Sequence, residues 1–261
     1  VVALHGLGST AREIAIPLLA LRDRYRLVVP DRPGYGPGAA RQSRPMPAEA
    51  QAIWLHHHLI GEGVHRPIIV AHSIAAVVAL CHARRYPQDV AGLVLVAPFC
   101  RPARRPWMQV LRLALLPPVA TLFRRIILPL LVDRIGKLRL AASFAPDSVP
   151  DYLAALPPGT FMPPHALATM ATELLGLNAA MAESQATLRR LAVPTIIIAG
   201  GADRLAAPAR HAAWLAGLLP DARLIVVPGV GHMLHHVVPN VVIQAIDAIN
   251  DRRSDAPPSG H

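Results

Sequence analysis

Three side chains in this chain have the types and order that acyl transfer requires. They are Ser73 in IIVAHSIAAVVAL, Asp203 in GGADRLAAP and His232 in GVGHMLHHVVP, each just after a β-branched apolar run. A serine hydroxyl is a poor nucleophile near neutral pH, so a neutral imidazole must take its proton as it attacks. A carboxylate then fixes the imidazole tautomer and stabilises the cation that forms. The oxyanion that develops needs preorganised N–H donors, which the glycine-rich turn His5-Gly6-Leu7-Gly8-Ser9 and the first residue after Ser73 can supply.

Such groups must be held by a scaffold, and the hydrophobic pattern describes one. Short β-branched runs at 1–4, 26–30, 67–71, 92–97, 194–200 and 222–228 alternate with alanine-rich and leucine-rich stretches at about 10–23, 46–62, 74–86, 206–218 and 238–252. Strands alternating with crossover helices predict an α/β fold with a mostly parallel sheet, each strand apolar on both faces and covered by helices on both sides. Ligands of such sheets bind beyond the carboxyl ends of the strands, where Ser73, Asp203 and His232 all fall. The alternation breaks between Cys100 and Arg190, about ninety residues rich in leucine and proline without a strand-like run. The expected division is therefore a core at 1–99 and 191–252, a helical insertion at 100–190 forming a cap, and a flexible tail at 253–261.

With these motifs the sequence resembles the α/β-hydrolase family, in its serine-nucleophile branch with a helical cap, esterase-like or lipase-like. The likeness runs from Val1 to about Asn250 apart from the insertion, and it rests on the chain order Ser73, Asp203, His232. HGLG resembles the family's oxyanion turn, which implies Leu7 N–H as one donor and Ile74 N–H as the other. DRPGYG resembles the D-x-x-G-x-G loop, GGADRLAAP the acid loop and GVGHMLHHVVP the histidine loop. The chain departs from the family in two places. Ala71 and Ala75 replace the glycines of the usual G-x-S-x-G elbow, and Val237 stands where many relatives have Glu before the proline. The elbow predicts a positive φ at Ser73, with Ala71 and Ala75 packed where glycines would be. Relatives carry one or two strands ahead of the oxyanion turn, so the resemblance implies N-terminal strands upstream of Val1.

Each candidate has a plainer rival. A serine flanked by apolar residues is often a buried hydroxyl or a helix cap. Asp203 can serve only as an acid ahead of the helix at 206, although the alternative acid position after 92–97 reads Ala97-Pro98-Phe99 and offers no carboxylate. His235 and His236 compete with His232 but fall on or beside the following helix. His5 and His72 flank the site and are expected to hydrogen-bond backbone, and Asp31 to organise its loop. His56-His57-His58 are consecutive and point in different directions on a helix, so surface positions fit them better than a shared metal ion. No metal and no cofactor is expected.

The net charge of +10 attracts anions at long range, but no run of five or more basic residues appears, and nucleic acid is not an expected partner. All but one of the 26 basic residues are Arg, Lys137 being the exception. Two cysteines, Cys81 and Cys100, give neither a disulfide framework nor a metal cluster. Compartment stays open, with the cytoplasm slightly favoured. The insertion mixes Trp107, Phe123, Leu130 and their neighbours with arginines, which suits an apolar substrate pocket or contact with a lipid surface. Trp107 and Phe123 are the candidate substrate contacts. Together these readings point to a cofactor-independent carboxylic ester hydrolase acting on a hydrophobic small molecule. The alternatives are a Ser-His-Asp enzyme of other chemistry, carbon–carbon hydrolysis or perhydrolysis, and a non-catalytic binding protein on the same fold.

Overall fold

The computed structural model describes residues 1–36, 45–102, 122, 128–157, 160–161 and 163–254. In chain order these form β1 (Val2–Leu4), α1 (Ala11–Ala15), α2 (Ala48–Gly61), β2 (Ile68–His72), α3 (Ala75–Arg85), β3 (Gly92–Val96), α4 (Leu128–Phe144), α5 (Asp151–Ala154), α6 (Leu167–Leu188), β4 (Thr195–Gly200), α7 (Ala212–Ala216), β5 (Ala222–Val227), α8 (Leu234–Val237) and α9 (Pro239–Ser254). Short 3-10 turns at Ile16–Leu21, Pro87–Asp89 and Pro164–Ala166 complete the set. The five strands pair in the order β1-β2-β3-β4-β5, all parallel.

Strand alternation explains the two layers of core. From β2, Ile69 and Ala71 face one apolar cluster, which holds Leu55, Leu80, Leu177 and Leu215 of α2, α3, α6 and α7. Ile68 and Val70 face the other, built with Ile14, Leu18, Ile246 and Ile249 from α1, the first 3-10 turn and α9. β3 and β4 divide in the same way, so helices pack on both faces of the sheet. Helix α3 is buried from Ala75 to Ala83, and its small side chains let it lie close against the strands. Its last turn carries His82, Arg84 and Arg85, which suit the negative helix end, and Tyr86-Pro87 stops it.

Four expected elements differ, two strands and two helices. The run at 26–30 is not a strand of the sheet; it joins β1 through a single parallel bridge, Val2 to Val28, with hydrogen bonds from Ala3 N to Val28 O and Val28 N to Val1 O. Arg24, Arg26 and Asp31 flank it, and the short β1 offers it few partners. The last strand, β5, is not covered on both faces. Its burial alternates between half-buried and exposed, and Val226 is 46% exposed, because β5 is the sheet edge among the described residues. The expected helix at 10–23 divides into α1 and a 3-10 turn begun at Ile16-Pro17, and that at 206–218 shortens to α7.

This topology creates the crevice. From β1 the chain runs outward to the 26–30 bridge, then returns across β1 to form β2. The turns that follow β1 and β2 therefore leave the sheet toward opposite sides, the place where open α/β sheets accept ligands. Helices α4, α5 and α6 all belong to the stretch between β3 and β4.

Candidate active site

Ser73 follows β2 directly and has φ 58°, the left-handed conformation that the elbow demands. Three backbone hydrogen bonds hold it there: its N–H donates to Val96 O at 2.9 Å, and its own carbonyl accepts from Phe99 N and Ala76 N at 3.1 and 3.2 Å. A non-glycine residue in this conformation is strained by about 1–2 kcal/mol. Ala71 and Ala75 are fully buried on either side of it.

His232 lies on the turn between β5 and α8, and its ring spans the other two groups. The Ser73 hydroxyl donates to His232 Nε2 at 3.0 Å, and His232 Nδ1 donates to Asp203 Oδ2 at 2.7 Å. The other carboxylate oxygen, Asp203 Oδ1, accepts the N–H groups of Leu205 and Ala206, both at 2.8 Å. Burial raises the Asp203 carboxyl, but its bond to His232, the histidine's charge and the two amides outweigh burial and hold it below the usual carboxylate range. All three residues are buried.

Close backbone approaches fix the two loops. A Cβ at Gly200 would stand 2.2 Å from Gly231 O, and one at Gly231 would stand 2.3 Å from Ala145 O. Ala202 N–H donates to Val230 O at 2.9 Å, tying the acid loop to the histidine loop. His232 and Met233 N–H both donate to Ser143 O of α4, at 3.1 and 3.2 Å. The histidine is thus clamped between the sheet and the inserted helices.

Leu7 and Ile74 frame the same space, and among the described residues neither amide has an acceptor. Together with Ser73 and His232 they line a cavity of about 310 Å³, whose remaining wall is mainly apolar: Phe99, Leu140, Phe161, Leu174, Leu205 and Met233. Leu140 and Phe161 come from the insertion. The sequence-expected contacts Trp107 and Phe123 lie outside the described residues.

The flanking polar residues take the backbone roles expected of them. His5 Nε2 accepts Arg32 N–H at 3.0 Å, and burial, then the Arg32 charge, lower its pKa to about 3. His72 Nε2 donates to His232 O at 3.3 Å, and burial, then His235 and His232, hold it well below the usual histidine range. Asp31 Oδ1 accepts Ala11 N–H at 2.7 Å. His56 stacks on Tyr86 and His58 on Trp54, away from the cavity.

Two buried carboxylates were not singled out from the sequence. Glu13 accepts hydrogen bonds from Ser9 at 2.8 Å and from His235 and His236 at 2.6 Å each. Burial opposes its charge, yet the two histidines hold Glu13 well below the usual range. Glu173 of α6 pairs with Arg32, accepts the Tyr35 hydroxyl and Gln51 Nε2 at 2.5 Å each, and so ties the insertion to the core. Arg32 in turn donates through Nε to His5 O at 2.8 Å and through Nη2 to Gly6 O at 3.2 Å, steadying the turn that carries Leu7.

A family model described as the alpha/beta hydrolase family matches residues 1–245. The chain belongs to the alpha/beta hydrolase family. Within it, the chain is 31% identical over 255 residues to the magnesium-chelatase 30 kDa subunit of Rhodobacter capsulatus, covering 90% of this chain and 80% of that protein. It is 30% identical to Lipase 1 of Psychrobacter immobilis, but over 94 residues only, 36% of this chain and 29% of the lipase. Among solved structures, a thermophilic esterase from Thermogutta terrifontis superposes with TM-score 0.75 at 23% identity, covering 96% of this chain and 89% of its own. The esterase EaEST from Exiguobacterium antarcticum reaches the same TM-score at 15% identity, over 95% and 91%. At such identities the superpositions establish the alpha/beta hydrolase fold. The buried serine, histidine and aspartate supply the serine-nucleophile arrangement within it.

Proposed function

We propose that the chain is a cofactor-independent carboxylic ester hydrolase acting through an acyl-enzyme on a hydrophobic small-molecule ester. The observation that supports it best is the unbroken hydrogen-bond line from Ser73 through His232 to Asp203, opening on an apolar cavity. In this reading Ser73 Oγ attacks the ester carbonyl while His232 Nε2 takes its proton. Leu7 and Ile74 N–H stabilise the oxyanion, and Asp203 stabilises the imidazolium. His232 then protonates the leaving alcohol, and a water activated by the same ring releases the acid. The insertion at 100–190 acts as the cap over a core at 1–99 and 191–252, supplying part of the pocket wall.

A fluorophosphonate probe tests the reading. Wild type should label at Ser73, and Ser73→Ala should not; equal labelling of both would overturn it. A series of p-nitrophenyl esters of rising acyl length then separates ester hydrolysis from carbon–carbon hydrolysis or perhydrolysis, which predict no acyl turnover at any length.

One observation favours a second reading. The relative matched over most of both chains is named a subunit of a magnesium chelatase, so the chain would serve as a binding component of such an assembly. Folded protein that resists the probe and co-purifies with chelatase subunits would support this reading. No helix among the described residues is long and apolar enough to cross a membrane. Peripheral lipid contact through the basic apolar cap is a separate proposal, which predicts salt-sensitive sedimentation with anionic vesicles.

A further inference from the structure

The cavity wall contains a guanidinium that has no carboxylate partner among the described residues. Arg139, on α4, lines the wall beside Ser73. Its Nη2 donates to Leu7 O at 3.0 Å, and its Nη1 lies so close to Gly8 that a Cβ there would be 2.7 Å away. The guanidinium is therefore one peptide unit from the Leu7 N–H. Burial pushes its pKa below the ordinary arginine value, opposed among the described residues by the Tyr35 phenol.

Neighbouring carboxylates are already committed. Glu13, the one acid among the described residues of the cavity wall, is held by Ser9, His235 and His236, and Glu173 is held by Arg32, Tyr35 and Gln51. No Asp or Glu among the described residues pairs with Arg139. The stretches 37–44 and 103–127 contain no Asp or Glu; of the two acids whose side chains are not described, Asp133 and Asp255, the first stands six residues before Arg139 on α4, not at the spacing of three or four that shares a helix face. Arg139 is half-buried, facing the cavity, whereas the fully buried Arg32, which is purely structural, is given a carboxylate. A guanidinium carries five N–H donors, and Leu7 takes one of those on Arg139.

We propose that Arg139 is the anion-binding subsite of this cavity and selects esters that carry a free carboxylate a few bonds from the scissile carbonyl, on an otherwise apolar body. Half-esters of aliphatic dicarboxylic acids belong to this class. The planar fork matches a carboxylate in shape and charge, whereas a phosphate dianion would call for a second cation. The other basic groups in the wall are His72 and His232, and burial keeps His72 neutral. The net charge of +10 would steer such anions toward the protein. This proposal rests on Ser73 being the nucleophile for its catalytic part, though not for its binding part.

The test compares monomethyl half-esters of the C4 to C8 diacids with methyl esters of the matching monoacids, in wild type and Arg139→Gln, which retains a donor for Leu7. At one or more lengths wild type should prefer the half-ester in kcat/KM. Arg139→Gln should lower kcat/KM for that half-ester by about 10- to 100-fold, through KM, and by at least tenfold more than for the neutral ester. Equal losses on both substrates would make Arg139 a positioning residue for the Leu7 turn and overturn the proposal, as would wild-type indifference to the carboxylate at every length. A second arm needs no turnover: calorimetric binding of the same half-esters to Ser73→Ala and to Ser73→Ala/Arg139→Gln. Binding should weaken about tenfold or more in the double variant. Unchanged binding overturns the subsite even if the esters turn over. Arg139-dependent binding without turnover or probe labelling in wild type sustains the subsite and overturns the ester hydrolase reading instead.

Discussion

Replacing Gly231 by Ala tests whether the insertion holds His232 in place. A Cβ at 231 would lie 2.3 Å from Ala145 O and 2.7 Å from Phe144 O, both backbone atoms at the end of α4. A carbon–oxygen contact relaxes at about 3.3 Å, so roughly 1 Å must open between the histidine loop and α4. Neither side yields easily, since His232 and Met233 N–H are both bonded to Ser143 O and Gly231 O itself faces Gly200. The displacement falls on the residue next to His232, whose Nε2 must stay at 3.0 Å from Ser73 Oγ. Misplacing a reacting group by about 1 Å costs about 100-fold, and overpacking costs about 1–3 kcal/mol of stability. The assay is kcat/KM on a neutral p-nitrophenyl ester together with the rate of fluorophosphonate labelling, with the thermal midpoint measured by circular dichroism. Gly136→Ala is the control on the same helix, because a Cβ there meets nothing within 4 Å and alanine favours a helix by about 1 kcal/mol. Wild-type kcat/KM and labelling in Gly231→Ala would refute the clamp.

Other variants probe strain, charge and pH. Ser73→Gly and Ser73→Ala should both be inactive, yet Ser73→Gly should be the more stable by about 1–2 kcal/mol in urea unfolding, because glycine tolerates φ 58°. Arg32→Gln should destabilise by about 3–5 kcal/mol, since it strands the buried Glu173 carboxylate, and chemical denaturation would show it. His82 is buried, with neither ring nitrogen hydrogen-bonded among the described residues, and burial, then His56, lower its pKa from 6.5 to about 4. Between pH 6.5 and 4 the unfolded chain therefore holds a proton that the folded one does not. Stability is lost as the pH is lowered through that window, by about 1.4 kcal/mol per pH unit for this group, and His82→Gln should reduce the measured slope by that amount.

What could be read in advance was whatever a short window carries. Each strand end announced itself through a β-branched run and the residue behind it, so Ser73, Asp203 and His232 were legible one loop at a time, and their chain order joined them. Residues 26–30 have a strand's composition but pair with a β1 of three residues, and pairing length is not encoded in the run itself. β5 reads like its neighbours, but its edge position depends on sheet order. The buried polar groups were beyond reach for a related reason. Glu173 meets Arg32 across 141 residues, Glu13 meets His235 across 222, and Arg139 meets Leu7 across 132. No local pattern distinguishes these acids and this arginine from those on the surface.

The alanines flanking Ser73 show how a motif can be lost while its geometry survives. The elbow needs space because a residue at φ 58° turns strand into helix within one position. The family's glycines ordinarily provide that space inside the elbow, whereas here Ala71 and Ala75 are accommodated with no exposure at all. The tight approach has moved to the neighbouring strand end. A Cβ on Gly6 would lie 2.9 Å from His72 Nδ1 and 3.2 Å from Ser73 Cβ, so the glycine of the His5-Gly6-Leu7-Gly8 turn makes room for the nucleophile. The same glycine directly precedes Leu7, which lines the cavity together with Ser73. The room that Ser73 needs is then set between two neighbouring strand ends and not only by residues within its own motif.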